Sequence, residues 1–261
     1  MKRDIATFIS TYGFQCCHIK NGVPIEVGAE ERDHYIYPIR DNTGDNISRE
    51  NKFYGELTGL YWIWKNVKNE LYISFRHYNK YLTIKEKKAV RFLKSAKDGW
   101  IVTTARKIPA HQYIDEWRIF CRIIREKYPD YYPSLVKLYS TEDGSGSQCN
   151  IANMFITSFD QMAEYCKVLF GICRRLRDEI GDTDHKKSDQ RYCAFMAERF
   201  LSIYIDANRL PKMEAELHYQ GQLLMKTLRV AEHLGIDADN RIIKWLNKCF
   251  QNKCYKSSYD C

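Results

Sequence analysis

Several features that would assign this chain to a familiar class are missing from its sequence. No run of about 18 apolar residues is present to span a bilayer. The start of the chain, Met1 to Thr7, places the acidic Asp4 where a signal peptide needs its apolar segment. Glycine (13 residues) and proline (6 residues) are scarce, which excludes linker-rich and collagen-like chains. We therefore expect the chain to stay in the cytoplasm.

The common nucleotide-binding and zinc-binding motifs are missing as well. The absence of Gly-x-Gly-x-x-Gly and Gly-Lys-Ser/Thr loops disfavours a Rossmann dehydrogenase and a P-loop nucleotide hydrolase. The ten cysteines lack the paired, short spacing of zinc ligands, and we expect mostly buried, reduced thiols. No structural zinc is predicted.

The residues that are present can fill a core and favour an anionic partner. Apolar residues make up 44% of the 261 residues, which excludes disorder and suffices for one large domain or two small ones. Lys and Arg (41) outnumber Asp and Glu (33), so the formal charge is +8. This excess favours nucleic acid, a phospholipid surface or a phosphorylated small molecule, without choosing among them.

Strand patterns alternate with helix patterns along the chain, which predicts an α/β fold with a sheet flanked by helices. The main predicted strands are Ile5–Thr11, Leu71–Phe75, Gly99–Thr104 and Asn150–Ile156. The main predicted helices are Tyr54–Val67, Ile114–Lys127, Phe159–Arg177 and Gln190–Ala207, with a helical, basic region from Leu210 onward. We therefore predict a domain over residues 1–209 and a helical C-terminal extension over 210–261 that packs on it.

One predicted strand ends in cationic side chains. Leu71–Phe75 is followed by Arg76, His77 and Lys80, at the edge where open α/β sheets bind ligands. Cations at such an edge can hold a diphosphate and stabilise its departure without a metal. The alternative is a solvated strand end with core tyrosines on either side.

Acidic residues suggest two further kinds of site. The triplets Asp182-Thr183-Asp184 and Asp237-Ala238-Asp239 could hold a divalent ion, but neither follows an apolar strand, and solvated or capping acids explain them better. The sequence permits a divalent metal without placing one, so no cofactor is firmly predicted. The loop Asp41–Ser48 could bind a base or ribose, or form a turn with a helix cap.

Two residues are candidates for a general base. Glu198 and Arg199 interrupt an apolar run of the sequence. If Glu198 is partly buried, its pKa is raised and it could act as a general base. The alternative is that Glu198 forms a structural salt bridge. His111, with Asp115 four residues later, could form a base with its orienting partner at a helix start. A surface histidine is the alternative there.

Six short sequence segments of this chain occur in the same order in one bacterial protein family; they are called family strings below. The strings are Pro24–Ala29, Asp41–Ser48, Glu56–Asn66, His77–Tyr81, Asn153–Ile156 and Ala197–Phe200. In them the chain resembles, from about Ile5 to Ile205, a family of capsule and O-antigen galactofuranosyltransferases that was formerly a domain of unknown function.

The resemblance implies a GT-A-like α/β domain that transfers galactofuranose from UDP-galactofuranose to a surface glycan, with inversion to a β linkage. The implied acceptor is a lipid-diphosphate-linked oligosaccharide at the inner face of the cytoplasmic membrane. The basic residues Lys244, Lys248, Lys253 and Lys256 would favour peripheral binding to that surface. An oligomer is compatible with the sequence.

Family strings and strand-end positions together suggest roles for individual residues. Asp41, Asn42, Asp45 and Asn46 are predicted to bind the nucleoside of the donor, Arg76, His77 and Lys80 its diphosphate, and Asn153 its sugar. Thr11 and Tyr78 complete the predicted donor site. Glu198 first and His111 second are predicted as the base, with Asp115 and Arg199 at the acceptor.

Two departures from the family leave the donor open. The family string His-Tyr-Arg-Arg-Tyr has Asn79 and Lys80 here, and Tyr12-Gly13 replaces the His-Lys that often follows the first strand. A transferase of another UDP-sugar, such as a hexopyranose, is therefore an alternative. A basic nucleic-acid-binding protein is a further alternative, but basic residues are scattered among acids and form no stripe, so no nucleic acid is predicted as partner.

Overall fold

The computed structural model describes residues 4–12, 22–33, 35, 37–185 and 190–219. The strands are β1 (Ile5–Thr11), β2 (Val23–Glu26), β3 (Tyr72–His77), β4 (Lys80–Thr83), β5 (Trp100–Thr103), β6 (Arg106–Ile108), β7 (Gly146–Cys149), β8 (Phe155–Ser158) and β9 (Lys212–Tyr219). The helices are α1 (Asn51–Tyr54), α2 (Leu57–Asn66), α3 (Glu86–Ser95), α4 (Ile114–Lys127), α5 (Tyr132–Leu138), α6 (Phe159–Ile180) and α7 (Tyr192–Ala207).

Seven strands form one mixed sheet in the order β2-β1-β3-β8-β5-β9-β4, and β6 pairs with β7 apart from it. β1, β2 and β3 run parallel, as do β5 and β9. β8 runs antiparallel to β3 and β5, and β4 runs antiparallel to β9. Because Phe75 of β3 pairs with Phe155, the first residue of β8, the loop before β8 lies at the carboxyl ends of β1 and β3. Segments far apart in the sequence therefore meet at this edge.

Apolar side chains alternate along the strands and divide the core between the two faces of the sheet. On one face Ile73 and Phe75 join a large cluster with α1, α2 and α4 to α7. On the other face Tyr72 and Ile101 pack against α3. Trp100 is fully buried in the large cluster, with its ring centroid 5.1 Å from that of Phe155. The heavily covered face therefore supplies most of the core and fixes the helices that border the sheet edge.

The predicted fold class is confirmed, since a mixed sheet lies between helices. β1 and α4 have the predicted bounds. The predicted helix Tyr54–Val67 is interrupted at Gly55, whose φ of 53° ends α1, and the chain resumes as α2. The predicted strand Asn150–Ile156 begins only at Phe155, because a loop precedes it.

The helix predicted from Leu210 onward is wrong for Lys212–Tyr219, which form β9 within the sheet. The physical reason is that apolar and charged residues alternate along this segment, as in a strand with one buried face. Met213 and Ala215 pack toward α3. Lys212 and Glu214 point to the opposite face, where both bind the Asn150 side chain. Residues 220–261 lie outside the described residues, so the extension stays a prediction there.

Two further expectations concern the described residues alone. Within them, no helix is both long enough and apolar enough to cross a bilayer. The cysteines that the structure describes are buried and unpaired, as expected for reduced thiols: Cys121, Cys149, Cys166, Cys173 and Cys193.

The close packing of α2 on the end of β2 leads to a prediction about stability. A methyl group on Gly59 would lie 2.8 Å from Cγ1 of Val27. We expect Gly59→Ala to lower the free energy of unfolding by about 1–3 kcal/mol, because overpacking outweighs the better helix propensity of alanine. Urea denaturation measures the change, with exposed Lys87→Ala on α3 as the control, expected within about 0.5 kcal/mol of wild type. Unchanged or increased stability of Gly59→Ala would contradict the packing argument.

Candidate active site

A cavity of about 500 Å³ opens at the carboxyl ends of β1, β2 and β3. Three predicted donor-binding residues, Thr11, His77 and Tyr78, line it. Glu56, which precedes α2, and Arg191, which precedes α7, also line it and were not among the predicted site residues. A cavity of this volume is typical of a small-molecule site. The sheet edge that the sequence predicts for ligand binding therefore carries the candidate active site.

A larger cavity, of about 660 Å³, lies between α5, the carboxyl end of α7 and the start of β9. Its wall contains none of the predicted site residues. We therefore centre the site on the smaller cavity.

Glu56 is a buried carboxylate held by groups from three other segments. Its Oε1 accepts a 2.6 Å hydrogen bond from Nδ2 of Asn153, which also donates to the carbonyl of Ala194 on α7 at 3.2 Å. Burial raises the pKa of Glu56, but His77, the Asn153 hydrogen bond and Arg191 together bring that pKa below its ordinary value. Because His77 is uncharged at neutral pH, the groups that then favour the ionised form of Glu56 are the Asn153 and backbone hydrogen bonds and the charge of Arg191. Glu56 is therefore ionised.

His77 ends β3 and faces the cavity as a neutral ring. Burial first, then the charges of Lys80 and Arg191, lower its pKa to about 4, although Glu56 acts in the opposite direction. Its Nε2 is buried 3.9 Å from Oε1 of Glu56 and has no hydrogen-bond partner among the described residues. His77 therefore brings no positive charge at neutral pH, and of the two predicted ways to bind a diphosphate, as a cation or as a hydrogen-bond donor, only the second is open to it.

Glu198 lies on α7, two turns after Arg191, and keeps part of its side chain exposed. Burial first, and the charge of Glu56 second, raise its pKa to about 7, against smaller opposing effects of Lys80, Arg199 and Arg191. With the residues that the structure describes, Glu198 forms neither a hydrogen bond nor the salt bridge considered as the alternative. Its carboxylate is therefore poised to exchange a proton near neutral pH.

The predicted trio Arg76, His77 and Lys80 does not converge on one point. Successive residues of a strand point to opposite faces, and the Arg76 guanidinium lies 5.8 Å from the ring centroid of Tyr81, outside the cavity wall. Lys80 is the first residue of β4, and its positive charge lowers the pKa values of His77 and Glu198. Arg191, from a distant segment, lines the cavity in the place expected for Arg76.

Thr11 and Tyr78 both line the cavity as predicted, but the two hydroxyl groups differ in availability. Thr11 Oγ1 donates to the carbonyl of Ile25 at 3.0 Å, so this hydroxyl joins β1 to β2. Burial raises the pKa of Tyr78, which stays a neutral phenol in the cavity wall.

In the loop predicted to bind a nucleoside, the Asp41 carboxylate stabilises the conformation of the loop itself. Asp41 is fully buried, and its carboxylate accepts hydrogen bonds from Gly28 N, Ala29 N and Ser48 Oγ at 2.9, 3.0 and 2.6 Å. The other predicted residues of this loop, Asn42, Asp45 and Asn46, also lie outside the cavity wall. The turn-and-cap interpretation therefore describes this loop better.

The predicted pairing of His111 with Asp115 is wrong. The His111 ring is buried, its Nδ1 accepts from the backbone N–H of Tyr113 at 3.0 Å, and burial lowers its pKa to about 4, with Arg199 as the next cause. The Asp115 side chain is 90% exposed and approaches Arg118 at 3.6 Å. Alignment on a helix start is therefore not enough to bring the two side chains together.

Arg199, predicted at the acceptor, is buried and binds backbone carbonyls. It donates to Gly144 at 3.2 Å and to Pro109 at 3.4 Å, and its guanidinium lies 5.7 Å from the ring centroid of Trp117. These contacts tie α7 to two loops. Neither Arg199 nor His111 lines the cavity.

The acidic triplet Asp182-Thr183-Asp184 lies after α6 and takes part in ion pairs. Asp182 binds Lys52 at 3.0 Å and Arg177 at 3.1 Å. Asp237-Ala238-Asp239 lies outside the described residues. Within the described ranges, no group of three or more His, Cys, Asp or Glu side chains is arranged to hold a metal ion. The described residues therefore place no divalent metal, and no step of the chemistry below is assigned to one.

The chain matches the model of a family described as Domain of unknown function (DUF4422) over residues 13–209. Among solved structures, it is similar to the apo structure of WbbM, a bifunctional glycosyltransferase, with a TM-score of 0.70 and 22% sequence identity. The alignment covers 83% of this chain and 45% of that one, so this chain spans less than half the length of WbbM. The likeness shows a shared GT-A-like fold. No curated protein matches the chain.

The raised pKa of Glu198 leads to a prediction about stability and pH. Because its folded-state pKa of about 7 exceeds the ordinary value of 4.5, the fold is favoured while Glu198 is protonated and loses stability as pH rises through 7. We expect Glu198→Gln to increase the free energy of unfolding more at pH 8 than at pH 5, measured by urea denaturation. Glu142→Gln, at an exposed carboxylate, is the control and should show no such difference. An equal effect of Glu198→Gln at both pH values would contradict the shift.

Proposed function

The chain belongs to the family described as Domain of unknown function (DUF4422), and we propose that it is an inverting glycosyltransferase of capsule or O-antigen synthesis. In this proposal it transfers galactofuranose from UDP-galactofuranose to a glycan acceptor with a β linkage. The GT-A-like fold shared with the glycosyltransferase WbbM supports the reaction class. The observation that carries the proposal is Glu198, which lies outside the cavity wall but has a pKa of about 7 that depends on the charges of Glu56 and Arg191 in that wall.

Glu198 is proposed as the general base. Its carboxylate takes the proton of the acceptor hydroxyl as that oxygen attacks the anomeric carbon of the donor sugar. The new carbon–oxygen bond forms as the bond to UDP breaks, and UDP leaves with the electron pair. A base with a pKa near the working pH combines a useful deprotonated fraction with a strong affinity for the proton. The lack of a hydrogen bond from described residues supports this role, because the carboxylate is available to an acceptor.

Cations around the cavity are proposed to hold the diphosphate and stabilise the leaving UDP. Arg191 and Lys52 line the cavity. Lys80 is near enough for its positive charge to lower the pKa values of His77 and Glu198. Arg191 and Lys52 take the role that the sequence analysis assigned to Arg76 and His77. An arginine suits this task because its planar fork can bind two phosphate oxygens at once.

A lipid-diphosphate-linked oligosaccharide at the inner membrane face is the proposed acceptor, reached by peripheral binding. The support is the family resemblance together with the charge of +8 on the whole chain. The basic residues expected to touch the membrane, Lys244 to Lys256, lie outside the described residues.

The identity of the base leads to a prediction for activity. We expect Glu198→Gln to reduce transfer roughly 100-fold or more, the usual size of a general-base contribution. We also expect wild-type activity to fall as pH drops below about 7, because a protonated Glu198 cannot accept a proton. Transfer is measured as UDP release from purified donor and acceptor, with UDP binding by calorimetry as a check of the donor site. Glu142→Gln should retain wild-type activity; full transfer by Glu198→Gln would rule out this base.

The donor sugar is a separate prediction, since Asn79 and Lys80 replace two arginines of the family string and leave the hexopyranose alternative open. We expect UDP release from UDP-galactofuranose to exceed that from UDP-galactopyranose and UDP-glucose at least tenfold, which corresponds to about 1.4 kcal/mol of discrimination. Faster release from a hexopyranose donor would keep the reaction class and change the sugar.

A further inference from the structure

Two buried polar atoms beside Glu56 have no hydrogen-bond partner among the described residues. They are Nε2 of His77 and Oδ1 of Asn153. Both flank the same carboxylate oxygen: His77 Nε2 lies 3.9 Å from Glu56 Oε1, and the amide nitrogen of Asn153 donates to that oxygen at 2.6 Å. Buried polar groups in folded proteins are almost always paired, so these two atoms need a partner, which a bound ligand can supply.

The chemistry of each atom limits what that group can be. Nδ2 of Asn153 donates to Glu56 and to the carbonyl of Ala194, which identifies Oδ1 as the acceptor end of this amide. Oδ1 therefore needs a hydrogen-bond donor. His77 is a neutral ring whose Nε2 can donate when it carries the ring proton. The missing group must therefore donate one hydrogen bond and accept another.

A hydroxyl group meets both needs, and a phosphate does not. A hydroxyl carries one hydrogen to donate and lone pairs to accept. An ionised phosphate has no hydrogen for Asn153 Oδ1, and the negative charge of Glu56 would repel it. Among the parts of a sugar nucleotide, a ring hydroxyl therefore fits best beside His77 and Asn153, and the ribose and the donor sugar both carry such hydroxyls.

We propose that His77 Nε2 and Asn153 Oδ1 together bind one hydroxyl group of the donor's sugar ring. This inference rests on the proposed function, because it takes the ligand to be a sugar nucleotide. It orients the donor: the sugar lies at Glu56 and His77, and the diphosphate lies toward Arg191 and Lys52. The Asn153 bond to Ala194 places this point one helical turn from Glu198, so the sugar lies near the proposed base.

Comparing UDP with UDP-galactofuranose tests the proposal, because only the second ligand carries the hydroxyl. Dissociation constants are measured by calorimetry for the wild type, His77→Phe and Asn153→Ala. We expect UDP to bind the wild type and His77→Phe equally and UDP-galactofuranose to bind His77→Phe roughly tenfold more weakly, as for the loss of one hydrogen bond. Asn153→Ala also removes the bond that holds Glu56, so it should weaken both ligands, and UDP-galactofuranose more than UDP. Gln148→Ala, which removes an exposed amide outside the cavity wall, should leave both constants unchanged.

His77→Phe decides the test if Asn153→Ala does not fold. Phenylalanine keeps the ring volume, and His77 forms no hydrogen bond with the described residues that this change would remove. Equal weakening of UDP and UDP-galactofuranose in His77→Phe would overturn the proposal, because it would place His77 at the nucleotide. Unchanged binding of both would overturn it too. Failure of the wild type to bind UDP would instead contradict the proposed function.

Discussion

The ionised carboxylate of Glu56 is the group on which the rest of the site depends. A buried charge is tolerated only where hydrogen bonds and opposite charges replace water. The 2.6 Å bond from Asn153 and the charge of Arg191 supply that replacement. Because Asn153 also binds the carbonyl of Ala194, one carboxylate fixes the start of α2, the loop before β8 and the first turns of α7 relative to one another. The antiparallel direction of β8 makes this meeting possible, since it turns the loop toward the ends of β1 and β3.

Glu56 also determines the chemical state of its neighbour. Two carboxylates in one low-dielectric region do not ionise equally, and their surroundings decide which of them keeps the proton. Glu56 has the hydrogen bond and is ionised. Glu198 has no hydrogen bond from the described residues and holds its proton up to a pH of about 7. The same interaction that orders the cavity wall thus prepares the second carboxylate for proton transfer, at some expense of stability at high pH.

Local patterns predicted much of the fold but only part of the site. The apolar periodicity of β1 and α4 lies within each segment, so their bounds could be predicted to the residue. Glu198 was recognisable because a charge inside an apolar run is unusual. Glu56 was not, because its role comes from Asn153, which is 97 residues away in the sequence. The alternation in β9 was readable in Met213 and the residues after it, yet its place between β5 and β4 depends on pairing that no local pattern specifies.

The distribution of charge around the cavity explains why a net positive protein has two acids at its proposed centre. Arg191 and Lys52 lie where a diphosphate needs compensation, whereas Glu56 and the uncharged His77 lie where a neutral sugar would. A donor bound in the reverse direction would place its phosphates against an ionised carboxylate, which is unfavourable. We therefore propose that repulsion between Glu56 and the diphosphate orients the donor, with its uncharged sugar toward Glu198 and the arriving acceptor hydroxyl.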